Sequence, residues 1–387
     1  MKPQDLVPAH SWLNEEDALT LEQFNNARRL PVAVKAALMP DAHPGYGLPI
    51  GGVLAVREAV IPYAVGVDIA CRMHLSVLDL PLAAPHAQRN TCIAALEKNS
   101  RFGIGASFAK GERKQHPVMD ENWQKHPFLK NHHNRAWEQL GTSGTGNHFV
   151  EFVELTMLEN DLGLSPGQYL ALLSHSGSRG TGAEVARHYS RLAQDLNPDL
   201  NGAMKELAWL PMKSPAGQEY WEAMQLMGRY AAANHQLIHQ GVADFLSARV
   251  LARVENHHNF AWKEEHDNQT VIVHRKGATP AHKGQLGIIP GSMGTAGFVV
   301  RGLGHSPALN SCSHGAGRLM SRQQANKKFK KINMCALLQE MGVDLISGGK
   351  DEAPMAYKDI EQVLAAQKQM VRVIARFQPR MVKMAPG

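Results

Sequence analysis

Glycine-rich turns recur along the whole chain, and each one carries polar, chemistry-bearing residues beside a short apolar run. The first is Asp41-Ala-His-Pro-Gly-Tyr-Gly-Leu-Pro-Ile-Gly-Gly, which feeds an apolar stretch over Val53–Val56. Others surround Asn147 and His148, then His175 and Arg179, then Ser292, then His314. Such turns punctuate strands rather than helices. The candidate site residues run from position 41 to position 383 with no repeat, low-complexity linker or composition break. That spread predicts one continuous catalytic domain over residues 1–387, not a catalytic module with an appendage. The strands expected beside the turns include Leu170–Leu173, Val271–Val273 and Phe298–Leu303. Helical spacing of apolar residues predicts helices over Leu19–Arg29, residues 219–254 and Asp359–Phe377. The fold class is therefore α/β (α+β).

With 44% hydrophobic and 20% charged residues the chain is globular. It has no apolar run long enough for a membrane span and no signal-peptide core, so a cytoplasmic location is expected. Its four cysteines show no CxxC pairing, which argues against a disulfide framework or a zinc ribbon. A net charge of +6 permits a polyanionic partner. Residues 82–140 hold a basic, histidine-rich patch from Arg113 to His133, read mostly as solvated surface. Lys327, Lys328, Lys330 and Lys331 form either a solvated helix face or a nucleic-acid contact.

Within the turns, small neighbours leave the imidazole of His314 open to a bulky ligand, and Arg318 and Arg322 follow at the spacing of one helix face. Asp68 and Cys71 stand three residues apart after an apolar run, and His148, His175 and His258 lie in loops near strands. His257 and His258 are adjacent, so only one of them is expected in a given site. A mixed Asp/Cys/His set without a cysteine pair suits a catalytic Mn²⁺ or Zn²⁺ pair better than a structural zinc. Arg179, Arg275, Lys276, Arg318 and Arg322 suit phosphate. His314 remains as a nucleophile or acid–base group, so the inventory points to phosphoryl or nucleotidyl transfer. A metal-dependent phosphodiesterase would use the metals and arginines without a nucleophilic His314, and an RNA-binding module would use only the basic patches.

The segments GVDIACRM (66–73), GTGNHFVE (144–151), HSGSRG (175–180), ENHHN (255–259), RKGA (275–278), IPGSMG (289–294), SCSHGAGRLMSR (311–322) and EAPMAYKDI (352–360) resemble, in order, the signature segments of the RtcB RNA ligases. The resemblance implies a single domain with a central β-sandwich-like core and surrounding helices. It implies joining of RNA ends bearing a 2′,3′-cyclic phosphate or 3′-phosphate to a 5′-hydroxyl, with GTP and two Mn²⁺. By the same resemblance Cys71 would bridge both ions. Asp68 and His148 would complete one site, and His175 and His258 the other. His314 would carry GMP, with Asp41 fixing its tautomer. Asn147, Glu151, Ser292, Tyr357 and Lys383 would hold GMP, with Glu151 and Lys383 near the base, and Arg179, Lys276 and Arg322 would hold RNA phosphate.

Three departures stand out. The family's usual Asp-Ile-Gly-Cys-Gly reads Asp68-Ile-Ala-Cys-Arg here, which would put the Arg72 cation beside the metals. Gly297 stands where a serine often contacts guanine, and Lys383 lies in an altered C-terminal segment. These features resemble the branch coupled to a release-factor homologue, which would repair cleaved ribosomal RNA.

Overall fold

The computed structural model describes residues 6–14 and 17–386, so the outermost ends of the expected 1–387 domain lie outside it. Two sheets carry the architecture. The first has five strands, in the order Ala9–Ser11, Ala33–Tyr46, Leu48–Val56, Gln269–Lys276, Asn259–His266. All its pairings are antiparallel except the first. The second has eight strands. Its path runs Leu286–Ile289, Gly297–Gly302, Val371–Met384, Phe149–Met157, Gly167–Ser176, Arg72–Leu78, Val250–His257, with Asp344–Ser347 alongside Val371–Met384. Its two edges come close: Asn256 Oδ1 on one edge accepts a hydrogen bond from Ile288 N on the other at 2.8 Å. The sheet is thus nearly closed, and few of its backbone groups are left unpaired.

Strand alternation decides what each face does. Met73, Leu75, Val153, Leu155, Ala171, Leu173 and Phe377 fill the inside of the nearly closed sheet. Val150, Phe152, Leu170 and Leu172 face outward, against Ile238 and Val242 of the long helix Pro215–Phe245. Between the sheets lies a further apolar layer that includes Met39, Val53, Val273, Phe298 and Val300. Helices Ala18–Arg28, Arg179–Leu196 and Pro215–Phe245 pack around this core. The result is a mixed α/β fold with an antiparallel core surrounded by helices.

Two expected helices end early. The one over 219–254 stops at Phe245, and Val250–His257 is a strand paired with Arg72–Leu78. Ser247 adopts a left-handed φ of 53° at the break. The one over Asp359–Phe377 is helical only at Ile360–Ala365, and Val371–Met384 is a central strand. Val371, Val373 and Ile374 are β-branched, and Val371 and Val373 pair with Gly302 and Val300, while the strand from Ala375 on also pairs with Phe149–Met157. A run this short and apolar fits either period, and the sheet decides between them. Arg318 and Arg322 do not share a helix face either. Helix Arg322–Lys328 begins only after the Ser321 cap, whereas Arg318 bridges to Tyr357 in extended backbone.

Candidate active site

The site occupies one end of the nearly closed sheet, where its inward-facing apolar rows are continued by polar residues. His175 follows Ala171 and Leu173, and Glu151 precedes Val153 and Leu155. Cys71 precedes Met73 and Leu75 just before the start of the strand Arg72–Leu78. A cavity of about 420 Å³ opens there, lined among others by Asp68, Cys71, His148, His175, His258 and His314.

The segment carrying Asp68 and Cys71 is clamped from one side. Asn259 Nδ2 donates to Asp68 O at 3.1 Å, Ala70 N donates to Asn259 O at 2.7 Å, and His258 N donates to Cys71 O at 3.0 Å. Asn259 Oδ1 also accepts from Gly277 N at 2.8 Å, which ties in the Lys276 turn. Ala70 takes a φ of 56°, a conformation that costs a residue with a Cβ about 1–2 kcal/mol. This is the position where the usual pattern has glycine.

The donor atoms converge. Cys71 Sγ lies 3.3 Å from His148 Nε2 and 3.1 Å from His175 Nε2. His175 Nε2 lies 3.2 Å from His258 Nε2, and His148 Nε2 lies 2.8 Å from Asp68 Oδ2. Metal–ligand bonds of about 2.0–2.3 Å hold donors at roughly these separations. Cys71, His148 and His175 form a metal-binding cluster, all three buried. His175 Nδ1 donates to Asn147 O at 3.1 Å, so its Nε2 lone pair faces the cluster. One thiol, three imidazoles and one carboxylate therefore suit a divalent cation.

Electrostatics favour the same occupant. Burial pushes the Cys71 thiol well above its usual range, and the Asp68 charge adds to it. Burial and the neighbouring His148 lower His175 to about 3, and burial followed by His314 depresses His258 strongly. Burial opposes ionisation of Asp68, yet His148 and Arg179 hold its carboxyl down to about 2. Neutral imidazoles at His175 and His258, beside the Asp68 carboxylate, are the form in which these groups would take up a cation.

Across the cavity, Asp41 is fully buried and its Oδ2 accepts from His314 Nδ1 at 2.7 Å. The same oxygen accepts from His314 N at 3.1 Å and Gly315 N at 3.3 Å. With the proton on Nδ1, the Nε2 lone pair of His314 points away from Asp41, and the ring lies 5.0 Å from that of His258. Glycines keep this corner tight: a Cβ on Gly317 (φ 76°) would stand 2.1 Å from Asp41 O.

The remaining expected residues divide. Asn147, Glu151, Ser292, Tyr357, Lys276 and Arg322 line the cavity. Burial raises the Glu151 carboxyl well above its usual range, and burial lowers Lys276 to about 7. Lys383 does not line the cavity. It pairs in register with outward-facing Val150, and its Nζ meets Glu97 at 2.9 Å. Arg179 stands behind His148, with its guanidinium 3.3 Å from His148 Nδ1 and Nε donating to Thr142 Oγ1 at 3.2 Å. Arg72 is not beside the cluster: it donates to Gly228 O at 3.2 Å and reaches His257 Nδ1 at 3.3 Å. The adjacent histidines thus diverge, His257 to Arg72 and His258 to the cluster. Arg275 is fully buried in a pair with Glu264 at 2.6 Å, so it is a core residue and not an anion contact. Histidines of the basic patch also serve locally, His132 on Phe128 O and His133 on Met119 O, each at 2.8 Å.

Sequence reasoning passed over Glu352 and Phe377, which both line the cavity. Glu352 is buried and gathers Arg318 at 3.3 Å, Arg322 at 3.0 Å and the Tyr357 hydroxyl. Its place at the head of the EAPMAYKDI segment was the available signal. Phe377 explains Gly297: the two are paired, and a Cβ on Gly297 would stand 2.2 Å from the Phe377 ring. The ring takes the space a larger residue would need.

Fold and site together define a metal-binding α/β protein in which a Cys/His cluster faces a histidine–aspartate pair across one cavity. The family model described as tRNA-splicing ligase RtcB matches residues 23–130 and 119–384. The chain is 34% identical to the RNA-splicing ligase RtcB of Escherichia coli K12, with 95% of each chain covered. It is 32% identical to the tRNA-splicing ligase RtcB of Nanoarchaeum equitans, covering 93% of this chain and 90% of that one. This chain belongs to the RtcB family. No helix among the described residues is long and apolar enough to cross a membrane.

Proposed function

We propose that this protein is an RNA ligase that uses GTP and two Mn²⁺. It joins RNA ends carrying a 2′,3′-cyclic phosphate or 3′-phosphate to 5′-hydroxyl ends, as in tRNA splicing or repair of cleaved ribosomal RNA. The observation that carries this reading is the His314–Asp41 pair, with Nδ1 bound at 2.7 Å and Nε2 facing the cavity beside the metal cluster. The relatives' names supply RNA ligation.

Asp68, Cys71, His148, His175 and His258 would hold the ions, which when bound neutralise charge on phosphate oxygens. His314 Nε2 attacks the α-phosphate of GTP, forming an N–P bond as the bond to pyrophosphate breaks. Asp41 stabilises the positive charge that develops on the ring. Asn147, Ser292 and Tyr357 hold GMP, and Glu151 receives the guanine edge. Water opens a cyclic phosphate to a 3′-phosphate, which takes GMP from His314 and releases the imidazole. The 5′-hydroxyl then attacks the activated phosphorus and GMP leaves. Lys276 and Arg322 bind RNA phosphate at the cavity wall. Arg179, set behind His148, supports that imidazole. A functional link to a release-factor homologue goes with the repair role.

Incubation with labelled GTP and Mn²⁺ tests the reading. The expected result is an acid-labile adduct that maps to His314 and is absent from His314→Ala. Cleavage of RNA with no adduct would assign a phosphodiesterase instead.

A further inference from the structure

Behind the strand that carries His175, a chain of buried polar side chains joins it to the middle of the long helix Pro215–Phe245. We propose that Asn234 and His235 are positioning residues for the metal cluster, holding the His175 strand end and the 141–147 turn together through hydrogen bonds of one fixed polarity. The proposal rests on the metal-cluster reading of Cys71, His148, His175 and His258, and not on GTP or ligation.

The polarity follows from one carbonyl. His235 Nε2 lies 3.1 Å from Ser176 O, and a carbonyl only accepts, so the proton is on Nε2. Nδ1 of the neutral ring is then an acceptor, and Ser174 Oγ, 2.6 Å away, must donate to it. Ser174 has spent its one proton, so its 2.8 Å contact with His239 Nε2 is a hydrogen bond received. That places the proton of His239 on Nε2, and its Nδ1 accepts from Ser76 Oγ at 2.8 Å. With both rings neutral, every link is determined. Burial supports neutrality, holding both imidazoles well below the usual histidine range.

Asn234 completes the clamp. Its Oδ1 accepts from Gly141 N at 2.7 Å and Thr142 N at 3.1 Å. Its Nδ2 donates to Thr142 O at 3.0 Å and Ser176 Oγ at 3.3 Å. Ser176 Oγ in turn donates to Ser143 O at 2.8 Å. His235 therefore grips residues 174 and 176, on either side of His175, while Asn234 grips the turn that leads to Asn147. Asn147 O is the acceptor that turns His175 Nε2 toward Cys71. Alternation puts Ser174 and Ser176 on the helix side of the strand and His175 on the cluster side. Asn234, His235, His239, Ser174 and Ser176 lie outside the cavity wall, so they act on the cluster only through the backbone they hold.

The test uses the full chain without nucleotide or RNA. In ¹⁵N-histidine spectra of the metal-free protein at neutral pH, His235 and His239 should both appear as neutral Nε2–H tautomers. An imidazolium, or the proton on Nδ1 of either ring, would overturn the proposal. Co²⁺ titration followed by the thiolate charge-transfer band should show affinity falling about tenfold or more in His235→Ala. His235→Gln, which keeps one donor and one acceptor, should recover most of it. Ile238→Ala removes core packing from the same helix and should lower the melting temperature while changing Co²⁺ affinity less than about twofold. Equal loss of affinity in His235→Ala and Ile238→Ala would reduce His235 to a core residue and sink the idea. If His235→Ala fails to fold, the wild-type tautomers and the Gln variant still decide. Absence of a GMP adduct would remove the ligase reading and leave this one standing.

Discussion

Cys71 is the only thiol in the cluster, and burial keeps it protonated in the metal-free protein. A divalent ion needs the thiolate, so binding must expel that proton. Metal affinity should therefore rise with pH across the neutral range, and calorimetry in buffers of different ionisation enthalpy should show proton release. Cys71→Ala should lose this release, bind about one ion or none by elemental analysis, and form no GMP adduct. Full metal content in the variant would show that sulfur is not shared between two ions.

Glu151 poses a similar question at the other end of the cavity. Burial raises its carboxyl, so the free protein holds it protonated above the ordinary carboxylate range. Guanine offers two N–H donors to a carboxylate, so GTP binding should pull the Glu151 proton off. The sign then follows: GTP affinity should grow as pH rises toward the pKa of the free site, because binding favours the ionised form. Glu151→Gln should abolish this linkage and lower the preference for GTP over ATP by about 1.5–3 kcal/mol. An unchanged GTP/ATP ratio would move base recognition to other residues.

At the scale of elements, the turn before the strand Arg72–Leu78 carries a left-handed alanine, and the neighbouring sheet carries a buried charge pair. Ala70→Gly should relieve the backbone and raise stability by about 0.5–1 kcal/mol, visible as a higher midpoint in urea. A lower midpoint would mean that the buried methyl contributes more than the strain costs. Arg275 holds Glu264 in two hydrogen bonds at 2.6 and 3.1 Å between adjacent strands. Arg275→Met leaves that carboxylate buried without its main partner and should destabilise the fold by about 3–5 kcal/mol. Burial opposes ionisation of Glu264, but His266, His282 and Arg275 together hold its pKa far down. Its share of stability is thus complete above the ordinary glutamate pKa and is lost only as pH falls well below it. Acid unfolding of the Arg275→Met protein should begin at higher pH than in the parent.

For the molecule as a whole, the sequence alone determined which residue types meet a metal or a phosphate, because that chemistry belongs to the side chain wherever it sits. Cys71, the three imidazoles and His314 were legible as chemistry-bearing residues in turns and loops beside apolar runs, whereas the pairing of Asp41 with His314 was implied only by the family resemblance. The family was legible through eight short ordered segments. What only the tertiary structure decided was direction. A one-residue step along a strand reverses the face, which sends Lys383 out to Glu97 and leaves Val382 and Met384 on the cavity. The same step separates Arg275, sealed in the core, from Lys276 on the cavity wall, and His257 from His258. Apolar spacing could not reveal that residues 250–257 and 371–384 are strands, because their partners lie far away in the chain. Side-chain facing and strand pairing are set by register with distant segments, and no window of local sequence contains that information.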